Sequence, residues 1–418
     1  MPASSPRPVP PRRASPRLGP RPLALHLANA TGAWMSSRAA LPLLKNGLLP
    51  WRPEFALQGG SLCLALALAG AKSDSFDAVL DAELTRRATL LLDGVERYRR
   101  HPYRRDLAEP PLLWQEGTTR LLDYRPRGGP PVLVVPSLIN RAYILDLAPG
   151  QSLLRYLADQ GLRPLLVDWG APGEEERRFN VGDYIMRRLE PAAEVARQAA
   201  GGAAPVVLGY CMGGLLALAL AARRPELACA LALLATPWRF HAERAEQARL
   251  LGMLAAPIAG SYAALGEVPV DVLQALFAAQ DPLLVLRKFS RFAEMAPDSS
   301  AALGFVALED WLNDGVPLAI PVARECLGGW YGEDRPGRGQ WRVDGKAIRP
   351  RDVEIPALIV VPAQDRIVPP ATAAALADEL PEAKTWTPSL GHIGMIVARD
   401  APSTVWEPLG AWLAREAG

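Results

Sequence analysis

Five short apolar runs constrain this chain more than any other feature: PVLVVPS (Pro131–Ser137), RPLLVDW (Arg163–Trp169), APVVLGY (Ala204–Tyr210), CALALLA (Cys229–Ala235) and PALIVVPA (Pro356–Ala363). Each is nearly continuous rather than alternating, the pattern of strands covered on both faces in a parallel sheet. Amphipathic stretches such as GQSLLRYLADQG and VGDYIMRRLEPAAEVARQAA lie between them. Runs and stretches alternating in this way predict an α/β fold with a mostly parallel central sheet and helices on both sides. LLWQEGTTRLLDYRP, just upstream, reads as an antiparallel hairpin on the sheet's edge.

At 418 residues the chain is long enough for one large domain and a smaller attachment. Residues 111–418 hold the α/β pattern. It is interrupted from about 238 to 350 by helical pieces and by WRVDGKAIRP, whose Asp344-Gly345 marks a tight hairpin. An insertion that long between two strands reads as a cap over a site. Residues 23–110 read as helical, with Phe76, Val79, Leu80, Leu84, Ala88, Leu91 and Leu92 at helical spacing and Ser75 and Asp77 as starting caps. The apolar stretch Gly59–Ala71 is too short to cross a bilayer, for which about 18 residues are needed, and reads as a buried helix. Residues 1–22, rich in proline and arginine, read as a disordered basic tail that is not an export signal, although their composition is also that of an organelle transit peptide.

No Asp or Glu precedes Glu54 while eight Arg and Lys do, so the rest of the chain is net acidic and nucleic acid is not the expected partner of the folded part. The four cysteines (Cys63, Cys211, Cys229 and Cys326) form no CxxC pair, which argues against a disulfide framework or a metal site and fits a reducing cytoplasm.

One of these cysteines stands in GYCMGG, between the run ending at Tyr210 and the helical LLALALAARR. G-x-nucleophile-x-G at a strand-to-helix junction is the nucleophile elbow, in which a strained turn lifts the central side chain to the carboxyl end of a sheet. Glycine is needed because neighbouring backbone leaves no room for a Cβ. The first turn of a helix also favours negative charge on Cys211. Cys229 sits inside an apolar run without such punctuation, so Cys211 is the candidate nucleophile. The elbow order is nucleophile, acid, histidine. Of His26, His101, His241 and His392, only the last follows the final apolar run, in the glycine-flanked loop SLGHIGMIV, and it is the candidate base. Asp365, at the end of PALIVVPA and followed by Pro369-Pro370, is the candidate acid. Two amides should form the oxyanion hole: Met212, and either Leu138 or Ile139 in the loop after PVLVVPS.

PSLINRAYILDL, VDWGAP, GYCMGG, LEDWLNDGVPL, AQDRIVPP and SLGHIGMIV, in this order, resemble the polyhydroxyalkanoate synthases, cysteine-dependent acyltransferases of the α/β-hydrolase fold. The resemblance runs from about Leu112 to the C-terminus and is nearest to the catalytic subunit of the two-component class. Arg366 stands where that family often has histidine. The resemblance implies polymerisation of (R)-3-hydroxyacyl-CoA through a thioester on Cys211, with CoA released and no cofactor beyond the CoA thioester substrate. It also implies a polymer granule surface and either a homodimer or a second synthase subunit as partners. Two other readings keep the same residues in view: a thioesterase, depolymerase or lactone hydrolase with a cysteine nucleophile, or a non-catalytic granule-associated protein.

Overall fold

The computed structural model describes residues 17–69 and 73–417. They divide into two compact units, one holding the residues up to Tyr103 together with Gln274–Asn313, the other Arg104–Leu273 with the residues from Asp314 onward.

The second unit contains an eight-stranded sheet whose strands in chain order are β1 (Leu112–Glu116), β2 (Thr119–Asp123), β3 (Pro131–Val135), β4 (Arg163–Asp168), β5 (Val206–Tyr210), β6 (Ala230–Leu234), β7 (Ala357–Val360) and β8 (Ala383–Trp386). Their spatial order is β1-β2-β4-β3-β5-β6-β7-β8. β1 and β2 form the expected antiparallel hairpin, β2 runs antiparallel to β4, and every other pairing is parallel. Every residue of β3, β5, β6 and β7 is buried, as their unbroken apolar character requires. β8, with sequence AKTW, has no apolar run; its middle residues are exposed on the edge of the sheet. The helix Met212–Arg223 is buried from Met212 to Ala221, which explains why it is apolar all round. The Asp344-Gly345 hairpin forms as expected, with both residues at positive φ.

The first unit is helical, with Leu23–Ala39, Ala56–Ala69 and Ser73–Arg100 joined by two helices from Gln274–Asn313. Its core is Leu91, Val95 and Tyr98 against Val285, Phe289, Phe292, Ala302 and Val306. The contact is close: a Cβ on Gly94 would lie 2.0 Å from the Phe289 carbonyl oxygen. Three expectations are corrected here. First, the insertion 238–350 is not one cap, because its middle third supplies the core that the N-terminal helices lack. Second, Ser75 and Asp77 are not starting caps, because the helix begins at Ser73, and Asp77 instead pairs with Lys45 at 2.5 Å. Third, Ala56–Ala69 is not buried: it packs through Leu62, Cys63 and Leu66, while Leu57, Leu64 and Leu68, on one helical face, stay exposed.

Residues 1–16 of the expected disordered tail lie outside the described residues. Arg17 does not behave as tail, since its guanidinium donates to both carboxylate oxygens of Asp310 (2.5 and 3.0 Å) and to the carbonyls of His101 and Tyr103. Asp310 belongs to the LEDW stretch, so that motif is part of a structural ion pair within the helical unit. Among the described residues no helix is long and apolar enough to cross a membrane, and no His, Cys, Asp or Glu side chains group to hold a metal ion.

Candidate active site

β5 ends at Tyr210, and the next residue turns the chain sharply. Cys211 takes φ +56° and ψ −129°, a region that costs a non-glycine residue roughly 1–3 kcal/mol. Its surroundings hold it there: its amide donates to Leu234 O at 2.8 Å, and its carbonyl accepts from Gly214 at 3.0 Å. The glycines leave no room for side chains. A Cβ on Gly209 would meet Gly214 Cα at 2.4 Å, one on Gly213 would meet Val135 O at 2.1 Å, and one on Gly214 would meet Thr236 Oγ1 at 1.8 Å. Gly213→Ala is therefore expected to destabilise the fold by about 3 kcal/mol or more, since its obstacle is backbone and cannot rotate away. Chemical denaturation measures this, and a loss under about 0.5 kcal/mol would mean the elbow is looser than these contacts.

The histidine and the aspartate converge on the same edge. His392 follows β8 and Asp365 follows β7, and both are buried. His392 Nδ1 donates to Asp365 Oδ2 at 2.7 Å, and Asp365 Oδ1 accepts from the amides of Ile367 and Val368, each at 2.8 Å. A carboxylate is an acceptor only, so Nδ1 carries the proton. Cys211 stands among the groups that act on the imidazole. Burial alone would lower the His392 pKa. The negative charge of Cys211 and the bonds to Asp365 and Cys211 overcome that, and push it up to about 10. Asp365 is thus not a solvated loop carboxylate, whereas its neighbour Arg366 is exposed.

Burial pushes Cys326 well above the ordinary thiol range and raises Cys229 as well; Cys211, Cys229 and Cys63 each keep partial exposure. Met212 opens the following helix, so its amide has no intrahelical partner. The β3 loop lies directly over the elbow, as the Gly213 contact with Val135 and Pro136 requires, and Trp169 Nε1 pins it by donating to Pro136 O at 3.0 Å. Of the two oxyanion candidates in that loop, Ile139 is already engaged: its amide donates to Ser137 Oγ at 3.0 Å.

Two residues near the sulfur were not singled out from the sequence. Tyr210 lays its ring against the His392 imidazole and donates its hydroxyl to the His392 carbonyl. Tyr331, on the π-helical stretch Glu325–Gly332, packs on Phe240 at 4.9 Å, and burial followed by the Cys211 charge raises its phenol. His241 Nε2 donates to the Tyr331 carbonyl at 2.7 Å. The one signal for Tyr210 was a polar-tipped ring closing an otherwise aliphatic run.

Comparison with known proteins identifies the family and relatives of this chain. Residues 130–398 match the α/β hydrolase fold family. The poly(3-hydroxyalkanoate) polymerase subunit PhaC of Haloferax mediterranei is 29% identical over 72% of this chain and 63% of its own length, so the chain spans less than two thirds of that relative. The PhaC subunit of Synechocystis sp. is 29% identical over 68% of this chain and 77% of its own. A monoacylglycerol lipase structure from Paleococcus ferrophilus superposes with a TM-score of 0.43 at 15% identity, covering 71% of this chain and 99% of that one. A parallel sheet in this strand order, an elbow whose glycines admit no Cβ and a match over residues 130–398 lead to one statement: the chain belongs to the α/β-hydrolase fold family, where its relatives include the PhaC polymerase subunits.

Proposed function

We propose that this chain is an acyltransferase that polymerises (R)-3-hydroxyacyl-CoA, carrying the growing chain on Cys211 with His392 as base and Asp365 as its orienting acid. The observation that carries this reading is the 2.7 Å His392–Asp365 bond beside a cysteine on a strained elbow, in a chain whose relatives are named polymerases.

The chemistry proceeds in two transfers. Cys211 sulfur attacks the thioester carbonyl, the amides of Met212 and Leu138 hold the oxyanion, and the C–S bond to CoA breaks. One thioester is exchanged for another at little cost. The leaving CoA thiolate takes the proton from the imidazolium, and acylation aids that transfer: once sulfur is bonded to carbon its negative charge is gone, so the main cause that raises His392 disappears and burial again lowers it. Neutral His392 can then accept the proton of an incoming 3-hydroxyl, which attacks the acyl-enzyme and forms an ester. Exclusion of water favours that hydroxyl over hydrolysis.

The site of action we infer is the cytoplasm, with no cofactor and with the polymer granule as a surface partner. The exposed stripe Leu57, Leu64 and Leu68 suits such a surface. A homodimer or a second synthase subunit remains the proposed assembly.

The test is incubation with 3-hydroxybutyryl-CoA. Expected are CoA release, insoluble polymer that carries the protein down with it, and a 3-hydroxybutyryl mass on the Cys211 peptide under brief exposure. Free acid without polymer would move the reading to the hydrolase alternative. Polymer without any acyl mass on Cys211 would refute the thioester route, and protein left in the supernatant would remove the granule surface from its partners.

A further inference from the structure

Tyr210 precedes the nucleophile and yet its side chain serves the histidine. It closes β5, is almost fully buried, and donates its hydroxyl to the main-chain carbonyl of His392 at 3.0 Å. Its ring also lies 5.2 Å from the imidazole, tilted by 32°. One residue therefore holds His392 twice, by backbone and by ring face, from the strand that delivers the sulfur. The rest of the histidine loop is tied to a different strand's exit: Ala363 and Gln364, just after β7, donate to the carbonyls of Pro388 and Leu390. These bonds fix the loop to the acid, but not to the cysteine. Burial and the charges of Cys211 and Asp365 keep the Tyr210 phenol protonated, so it stays a donor throughout.

We propose that Tyr210 is a positioning residue that sets the separation of His392 from Cys211, its hydroxyl linking the end of β5 to the histidine loop, which no main-chain bond among the described residues does. The inference rests on the assignment of Cys211 and His392 as nucleophile and base. Its role follows from geometry: the second ring nitrogen can exchange a proton with sulfur only if the imidazole stays in reach, and a small displacement of a reacting group costs rate steeply.

The experiment compares wild type, Tyr210→Phe and His392→Ala in the full chain, reading iodoacetamide alkylation of Cys211 against pH, kcat and KM for 3-hydroxybutyryl-CoA, and the thermal midpoint. Tyr210→Phe keeps the ring and removes the donor. Alkylation at neutral pH and kcat are each expected to fall about tenfold, with KM unchanged and the pH profile of alkylation displaced toward that of His392→Ala. Wild-type reactivity and pH profile in Tyr210→Phe, alongside a large loss in His392→Ala, would overturn the positioning role and leave the site assignment standing. No loss in His392→Ala would overturn the assignment itself. If phenylalanine lowers the midpoint below the assay temperature, 4-aminophenylalanine at 210 keeps the ring and a weaker donor. Reactivity between wild type and His392→Ala then supports the role, and full wild-type reactivity sinks it.

Discussion

Cys211→Ala is expected to lower CoA release from 3-hydroxybutyryl-CoA about 10³-fold or more, because the covalent route has no second nucleophile at the elbow. Cys326 and Cys229 are weak alternatives: Cys326 is buried and strongly disfavours its charged form, and burial raises Cys229, whose sulfur lies 3.6 Å from the Glu416 carbonyl. The same variant carries a second, independent readout. The Cys211 charge is the largest cause that raises His392; without it burial, which lowers the value, opposes only the Asp365 contributions. The wild-type imidazole should hold its proton up to about pH 10, and the Cys211→Ala imidazole should release it at clearly lower pH. Proton NMR of the ring through a pH series decides this. An unchanged titration would mean the sulfur does not face the imidazole, and a variant retaining more than about a tenth of wild-type CoA release would remove Cys211 as nucleophile.

The elbow was legible in the sequence because its requirement is local. Gly209, Gly213 and Gly214 are demanded by atoms that a few residues of strand and helix bring with them, so spacing alone announces the turn. The convergence of Asp365 and His392 was legible for a different reason. Parallel strands open their loops on one edge, so residues that follow β7 and the last helix-strand unit must meet whatever follows β5. The edge strand β8 was not legible: AKTW is half exposed and carries none of the apolar continuity that marks strands buried on both faces. The partner of the N-terminal helices failed to show itself for a third reason. Its core pairs Leu91, Val95 and Tyr98 with Phe289 and Phe292, nearly two hundred residues downstream, and amphipathic periodicity says that a helix has a partner without saying which one. Arg17 illustrates the same limit, since a proline-rich, arginine-rich segment has no local reason to be ordered, and Asp310 supplies a distant one.

The largest effect expected without loss of the nucleophile comes from Asp365→Asn. Oδ1 of the aspartate is fixed by two amide donors, those of Ile367 and Val368, and Oδ2 receives His392 Nδ1. Asparagine must turn its oxygen toward the two amides, because the opposite orientation would set an NH2 group against two N–H donors. Its NH2 then faces Nδ1, donor against donor, and the imidazole can relieve the conflict only by moving its proton to the nitrogen that faces Cys211. A ring protonated there cannot accept the thiol proton or the proton of an incoming hydroxyl. The rate is therefore expected to fall about 10³- to 10⁴-fold while the fold persists, since shape and packing are conserved. Steady-state CoA release gives the first quantity and the thermal midpoint the second. Asp365→Glu is the companion variant: it keeps the charge, loses the two-amide anchor, and should recover part of the rate. If Asp365→Asn keeps most of its activity, the carboxylate's role is confined to holding the loop, and the His392 tautomer is set elsewhere.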